Sequence, residues 1–258
     1  MLTLNASMLV FGQANTVTTV SAANYRPIVA PDSIASAWGS GLAPNTIAAN
    51  TTPATGQTIT LPGTLGPVSL SVKDSGGGVV QPFLYMVSQG QINYVIPAAS
   101  KLGKSALTVN SGTTAVTGTV LVSNVAPALF TADASGTGVP VGTVLRVTSA
   151  GVVTTDSLFQ SGISTFLSKP INLNSSPSDK VYLILFGTGI RLHSLNPVQA
   201  TIGGIRVPVL YAGAQSQYPG FDQINLGPLP QTLIGKGQAD LILTVDGVPA
   251  NTVRVALQ

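Results

Sequence analysis

QINYVIP at residues 91–97 and DQINLGPLP at residues 222–230 carry the same tripeptide ahead of a proline, more than a hundred residues apart. A ligand or catalytic signature used twice would do this. So would one domain written twice. The surrounding landmarks favour the second answer. Trp38-Gly39-Ser40-Gly41-Leu42 matches Phe186-Gly187-Thr188-Gly189-Ile190, and PFLY at 82–85 matches PVLY at 208–211, with QIN following in both. The tails agree as well: GKSALTV at 103–109 with GQADLILTV at 237–245, then alternating runs over 117–122 and 252–257. Landmarks that keep their order over such a length mark an internal repeat.

Each copy holds short period-2 runs parted by Gly, Pro, Asn and Asp turns, the pattern of an antiparallel, immunoglobulin-like β-sandwich. The expected fold is therefore all-β: two tandem immunoglobulin-like β-sandwiches with an extra N-terminal strand. Residues 1–21 form the strand and tether, 22–125 the first sandwich, and 126–258 the second. PALF at 127–130 opens the second copy, and an inserted hairpin is expected near 143–155, turning at Ser149-Ala150-Gly151.

Composition agrees. The chain has 258 residues, 44% hydrophobic but only 7% charged, with 28 Gly and 18 Pro, both costly inside helices. All eight acidic residues are Asp, and the net charge of +3 comes from scattered Lys and Arg rather than a run. Nucleic-acid binding, which needs clustered cations, is not expected. With no cysteine, disulfides and thiolate metal sites are excluded. No apolar run is long enough for a membrane span. The weakly charged, Thr-, Asn- and Gly-rich surface suggests an extracellular or cell-surface setting.

The landmarks also resemble the Solibacter-type uncharacterised C-terminal domain family. Its opening, its INFQVP-like middle, its G-x-x-x-V-x-V strand and its P-G-L-F junction look like residues 30–43, 92–97, 103–109 and 127–130. More weakly, each copy resembles an IPT/TIG sandwich. The resemblance covers about residues 22–258. It implies secretion and a place at the end of large surface proteins, and it implies no activity.

Leu2, Leu4, Ala6, Met8 and Val10 alternate with Thr3, Asn5, Ser7 and Leu9, a strand pattern with one apolar face. The polar stretch 13–23 reads as a tether. Such a strand could fold back onto its own domain. Alternatively, it could be donated to a neighbouring copy, whose sheet it would extend. Repeated head to tail, that contact builds a filament.

Residues for catalysis are sparse. His193 is the only histidine, and no G-x-S-x-G elbow accompanies it. Glu is absent, so paired-carboxylate chemistry would need two of the scattered Asp. Asp133 or Asp156 could join a calcium site, without D-x-D-x-D spacing to support it. No enzyme activity, cofactor or metal is expected. Trp38 and Tyr85 fall at repeat positions that suggest core packing. Tyr94 and Tyr218 remain as candidate glycan contacts, and Asn5, Asn50 and Asn174 as glycosylation acceptors. The expected function is that of an extracellular structural protein, a self-associating surface or filament subunit whose partners are copies of itself. The alternative is a carbohydrate-binding or adhesive module for surface glycans.

Overall fold

The structure is a computed structural model, and it describes residues 16–162, 166–174, 176 and 178–258. The chain is all-β, with a single short 3-10 turn at Gln231–Leu233 among the described residues. In the N-terminal half the strands are β1 (Thr16–Ser21), β2 (Ile34–Trp38), β3 (Ile47–Ala48), β4 (Thr64–Leu65) and β5 (Val68–Lys73). They continue with β6 (Val79–Val80), β7 (Phe83–Val87), β8 (Gln91–Val95), β9 (Gly103–Ser111) and β10 (Thr114–Val122). Their order is β3-β7-β8-β2-β1-β10-β9-β5-β4, with β6 beside β5.

β1 is the hinge of this arrangement. It lies antiparallel to β2 and parallel to β10, and so joins the β2-β8-β7 layer to the β10-β9-β5 layer. That is immunoglobulin-like topology. Period-2 alternation then fills the space between layers. Ala35, Ala37, Leu84, Ile92 and Tyr94 face Leu70, Leu107, Val109 and Val120 in one buried cluster. The stretch 13–23, expected as a tether, thus contains an integral strand. Its inward positions are Val17, Thr19 and Ser21, and the Thr19 hydroxyl is satisfied by Tyr94 Oη at 3.1 Å. A small, polar sequence can be core when each buried hydroxyl has a partner.

The parallel contact between β1 and β10 leaves no room at Gly118. A Cβ there would sit 1.8 Å from the Val17 carbonyl oxygen. Gly118→Ala must push β1 away from β10, and overpacking of this kind costs about 3 kcal/mol. Urea titration of the variant should show that loss, and an unchanged midpoint would mean β1 is not held as described.

The C-terminal half repeats the plan. Its strands are β11 (Ala128–Leu129), β12 (Gly142–Val147), β13 (Val153–Ser157), β14 (Phe159–Ser161), β15 (Phe166–Ser168) and β16 (Lys180–Thr188). After them come β17 (Gln199–Ile202), β18 (Ile205–Val207), β19 (Val209–Ala214), β20 (Asp222–Leu226), β21 (Gly237–Val245), β22 (Val248–Pro249) and β23 (Val253–Leu257). One layer runs β13-β12-β16-β20-β19, with β11 on β16; the other is β18-β17-β21, flanked by β22 and β23. β16, β20 and β19 correspond to β2, β8 and β7. β17, β21 and β23 correspond to β5, β9 and β10. The role of β1 beside the last strand passes to Ile171, bridged parallel to Leu257, with its amide on Ala256 O at 2.8 Å. The core of this half includes Leu183, Leu185, Ile202, Ile224, Leu241 and Val253.

The duplicated tripeptide falls on β8 and β20. Ile92 and Ile224 are fully buried, one in each core. Gln and Asn stand on the outer face, where Gln91 Nε2 donates to Asn93 Oδ1 at 2.8 Å and Gln223 Nε2 to Asn225 Oδ1 at 2.9 Å. These amides bond along their own strand rather than to a neighbouring loop.

The halves meet through a built joint. Ile34 N donates to Thr188 Oγ1 at 2.8 Å, and that hydroxyl donates to Gly220 O at 2.7 Å. Tyr85 Oη donates to Pro219 O at 2.6 Å, and Ile59 N to Gln217 O at 2.9 Å. The Phe221 ring stacks on Phe130 at 4.9 Å and meets Tyr85 and Tyr218. Arg191 reaches across to Asp32 while its Nε donates to Asp222 Oδ1 at 2.6 Å. Aromatic packing and a paired charge together fix the register of the two halves.

Candidate interaction site

β12 and β13 form the hairpin expected near 143–155, paired from Thr143↔Ser157 to Val147↔Val153. β12 continues the sheet through β16, whereas β13 pairs with β12 alone among the described residues. Every residue of β13 is exposed, and Val152 beside it is 55% exposed. The hairpin bond from Thr148 N to Val152 O, 2.9 Å, fixes the alternation of the ladder. Thr154 and Asp156 therefore bond to β12, while the N–H and C=O of Val153 and Thr155 point outward. An edge of this kind is a template for another strand.

The edge is flanked on both faces. A cleft of about 270 Å³ opens between β13 and Pro170-Ile171, floored by Val144 and Arg146. A second, of about 460 Å³, lies by Gly142, Phe159 and Phe186. A strand laid along β13 would send alternate side chains into each cleft. Charges fix the rim: Lys169 Nζ lies 2.6 Å from Asp156, a pairing that holds this carboxyl below its usual range. Asp156 is thus engaged with a cation, and Asp133 accepts from the Ser135 amide and hydroxyl at 3.1 and 2.8 Å. Neither belongs to a group of three or more potential metal-ligating side chains among the described residues.

The candidate donor residues Leu2, Leu4, Ala6, Met8 and Val10, and Asn5, lie outside the described residues. Asn50 and Asn174 are exposed loop residues; Asn50 Oδ1 accepts from Thr52 N at 3.0 Å, and Asn174 N donates to Asn172 Oδ1 at 2.8 Å. Tyr94 is fully buried, so a glycan cannot reach it; the parity that turns Ile92 inward also turns Tyr94 inward. Tyr218 is half-buried in the joint against Phe221 and the Ile59–Leu61–Val95 cluster, which places it as packing. Among the aromatics that face solvent is Trp38, 42% exposed. Its neighbours Ala35 and Ala37 point inward, so the core position expected for Trp38 is corrected to the outer face. Tyr85 is half-buried and serves the joint. Its repeat partner Tyr211 is exposed, with its hydroxyl on Ala214 O.

His193, Ser194 and Asp246 lie near one another but in the wrong order for a nucleophile. Ser194 Oγ donates directly to Asp246 at 2.6 Å, holding that carboxyl below its usual range. The His193 nitrogens face the Ser194 and Ala212 carbonyl oxygens at 2.7 and 3.1 Å. Neither nitrogen is placed to take the serine proton. The three residues instead clasp the 191–197 loop to β19 and to the turn after β21.

No helix is long and apolar enough to cross a membrane among the described residues. No protein-family model matches this chain, and no curated protein matches it.

Proposed function

We propose that the chain is an extracellular structural subunit that associates with copies of itself, the apolar-faced segment Leu2–Val10 of one copy adding to β13 of the next. The open edge of β13, with a cleft on each face, carries this reading. Backbone groups at Val153 and Thr155 supply hydrogen bonds, and the period-2 pattern of Leu2, Leu4, Ala6, Met8 and Val10 supplies side chains for one cleft. Within the described residues each half already has a full set of sandwich strands. The donated strand therefore extends a sheet rather than filling a gap. Donor and acceptor are different surfaces, so the contact is heterologous and propagates into a filament. The motif resemblance to a secreted domain family and the sparsely charged, Thr-rich surface support the extracellular setting.

Sedimentation of the intact chain against one lacking residues 1–12 tests this. Intact protein should form concentration-dependent polymers, and the truncated chain should remain monomeric. Polymers formed equally by both, or by neither, would refute the reading.

A further inference from the structure

Trp38 is the only tryptophan in the chain, and it lies in a central strand with much of its ring in water. On the outer face its cross-strand neighbours are Thr18 of β1 and Gln91 of β8. In the next row Ser36 stands opposite Asn93. Asn93 Oδ1 accepts from Ser36 Oγ at 2.7 Å as well as from Gln91 Nε2. Those two bonds set the orientation of both amides. They leave the Asn93 Nδ2 donors and the Gln91 Oε1 acceptor without a partner among the described residues, beside the indole.

We propose that this face is a carbohydrate-binding platform, with Trp38 as the stacking surface and Gln91 and Asn93 as its hydrogen-bonding rim. A pyranose presents an apolar C–H face and a rim of hydroxyls that both donate and accept. An exposed ring beside fixed amides matches both features. Trp38, Thr18, Ser36, Gln91 and Asn93 are all uncharged, so the matching ligand is a neutral sugar. The surface is a sheet, not a pit. Three strands, β1, β2 and β8, at about 4.8 Å spacing offer a shallow strip, which suits an extended ribbon of β-1,4-linked rings rather than a coiled α-linked chain. The second copy keeps the amide pair but has Phe186, half-buried, at the matching position. The platform is therefore assigned to the N-terminal half alone.

Because Trp38 is the only indole, its fluorescence reports this site directly. Titrating the full chain with cellopentaose should shift Trp38 emission to shorter wavelength and saturate. Maltopentaose should have a much smaller effect. Asn93→Ala and Gln91→Ala, which keep the fluorophore, should each weaken binding about tenfold. Trp38→Ala should abolish the heat of binding in calorimetry while its thermal unfolding stays close to that of the parent. The proposal is overturned by an emission spectrum unmoved at about 10 mM cellopentaose, where even a millimolar site would be mostly filled. It is overturned equally by calorimetric affinity retained in Trp38→Ala, or by an equal response to maltopentaose. None of these readouts depends on self-association.

Discussion

Arg191→Ala should destabilise the chain by about 3–5 kcal/mol, the largest loss expected from any single surface-reaching side chain here. Asp222 is fully buried. It accepts from Arg191 Nε at 2.6 Å and from the Ile190 amide at 2.7 Å, and Arg191 also reaches Asp32 and the Phe221 carbonyl. Burial raises the Asp222 carboxyl above its usual range, and Arg191 with the loop amides pulls against that rise. Removing the guanidinium leaves the desolvation unopposed. A carboxyl raised in the folded state favours folding at pH below its unfolded value of about 4, and that advantage is lost as pH rises through the higher folded value. The deficit of Arg191→Ala should therefore be greatest near neutral pH and shrink in acid, as Asp222 takes up a proton. Denaturant titrations at several pH values will show this. Arg191→Ala combined with Asp222→Asn should recover part of the loss, because no unpaired charge remains.

Asn251→Ala should cost about 3 kcal/mol, although the residue looks unremarkable in a turn-rich stretch. Its Oδ1 accepts from Leu129 N at 2.8 Å, and its Nδ2 donates to Leu129 O at 2.9 Å and to Gly136 O at 3.0 Å. β11 is only two residues long, and the amide acts as its second ladder partner opposite β16. The variant leaves buried backbone groups unsatisfied, which costs more than the lost bonds alone. Amide exchange at Leu129 should accelerate along with the fall in stability. Asn251→Asp keeps the acceptor but sets a carboxylate against two carbonyl oxygens, and it should be no better at neutral pH.

These two clusters were not legible in the sequence, because their members are distant along the chain and each residue type is ordinary in isolation. Arg191 and Asp222 are 31 residues apart, and Asn251 and Leu129 are 122 apart. The repeat was legible because it lies in order and spacing. The same cross-strand pairing places Trp38 opposite Gln91 and Phe186 opposite Gln223. The hairpin was legible from its turn residues. Parity was legible too, but it had to be applied throughout. The alternation that puts Ile92 in the core also buries Tyr94. The one that turns Ala35 and Ala37 inward sends Trp38 out. Matching aromatic to aromatic between the copies hid this, since Phe186 is half-buried and Trp38 exposed. The openness of β13 had no sequence signal, because whether a strand is central or at an edge depends on what the rest of the chain lays beside it.

The two halves are joined through Arg191, Phe221 and Tyr85, and the C-terminal half presents β13, whose outer edge has no partner strand among the described residues. Thr155→Pro should block assembly without breaking the hairpin, since the N–H it removes faces outward. The most direct test adds a synthetic peptide of residues 1–12 to the chain lacking them and follows amide exchange residue by residue. Strand addition at β13 predicts new protection at Val153 and Thr155. Peptide binding with those two amides left as exchangeable as before would contradict it.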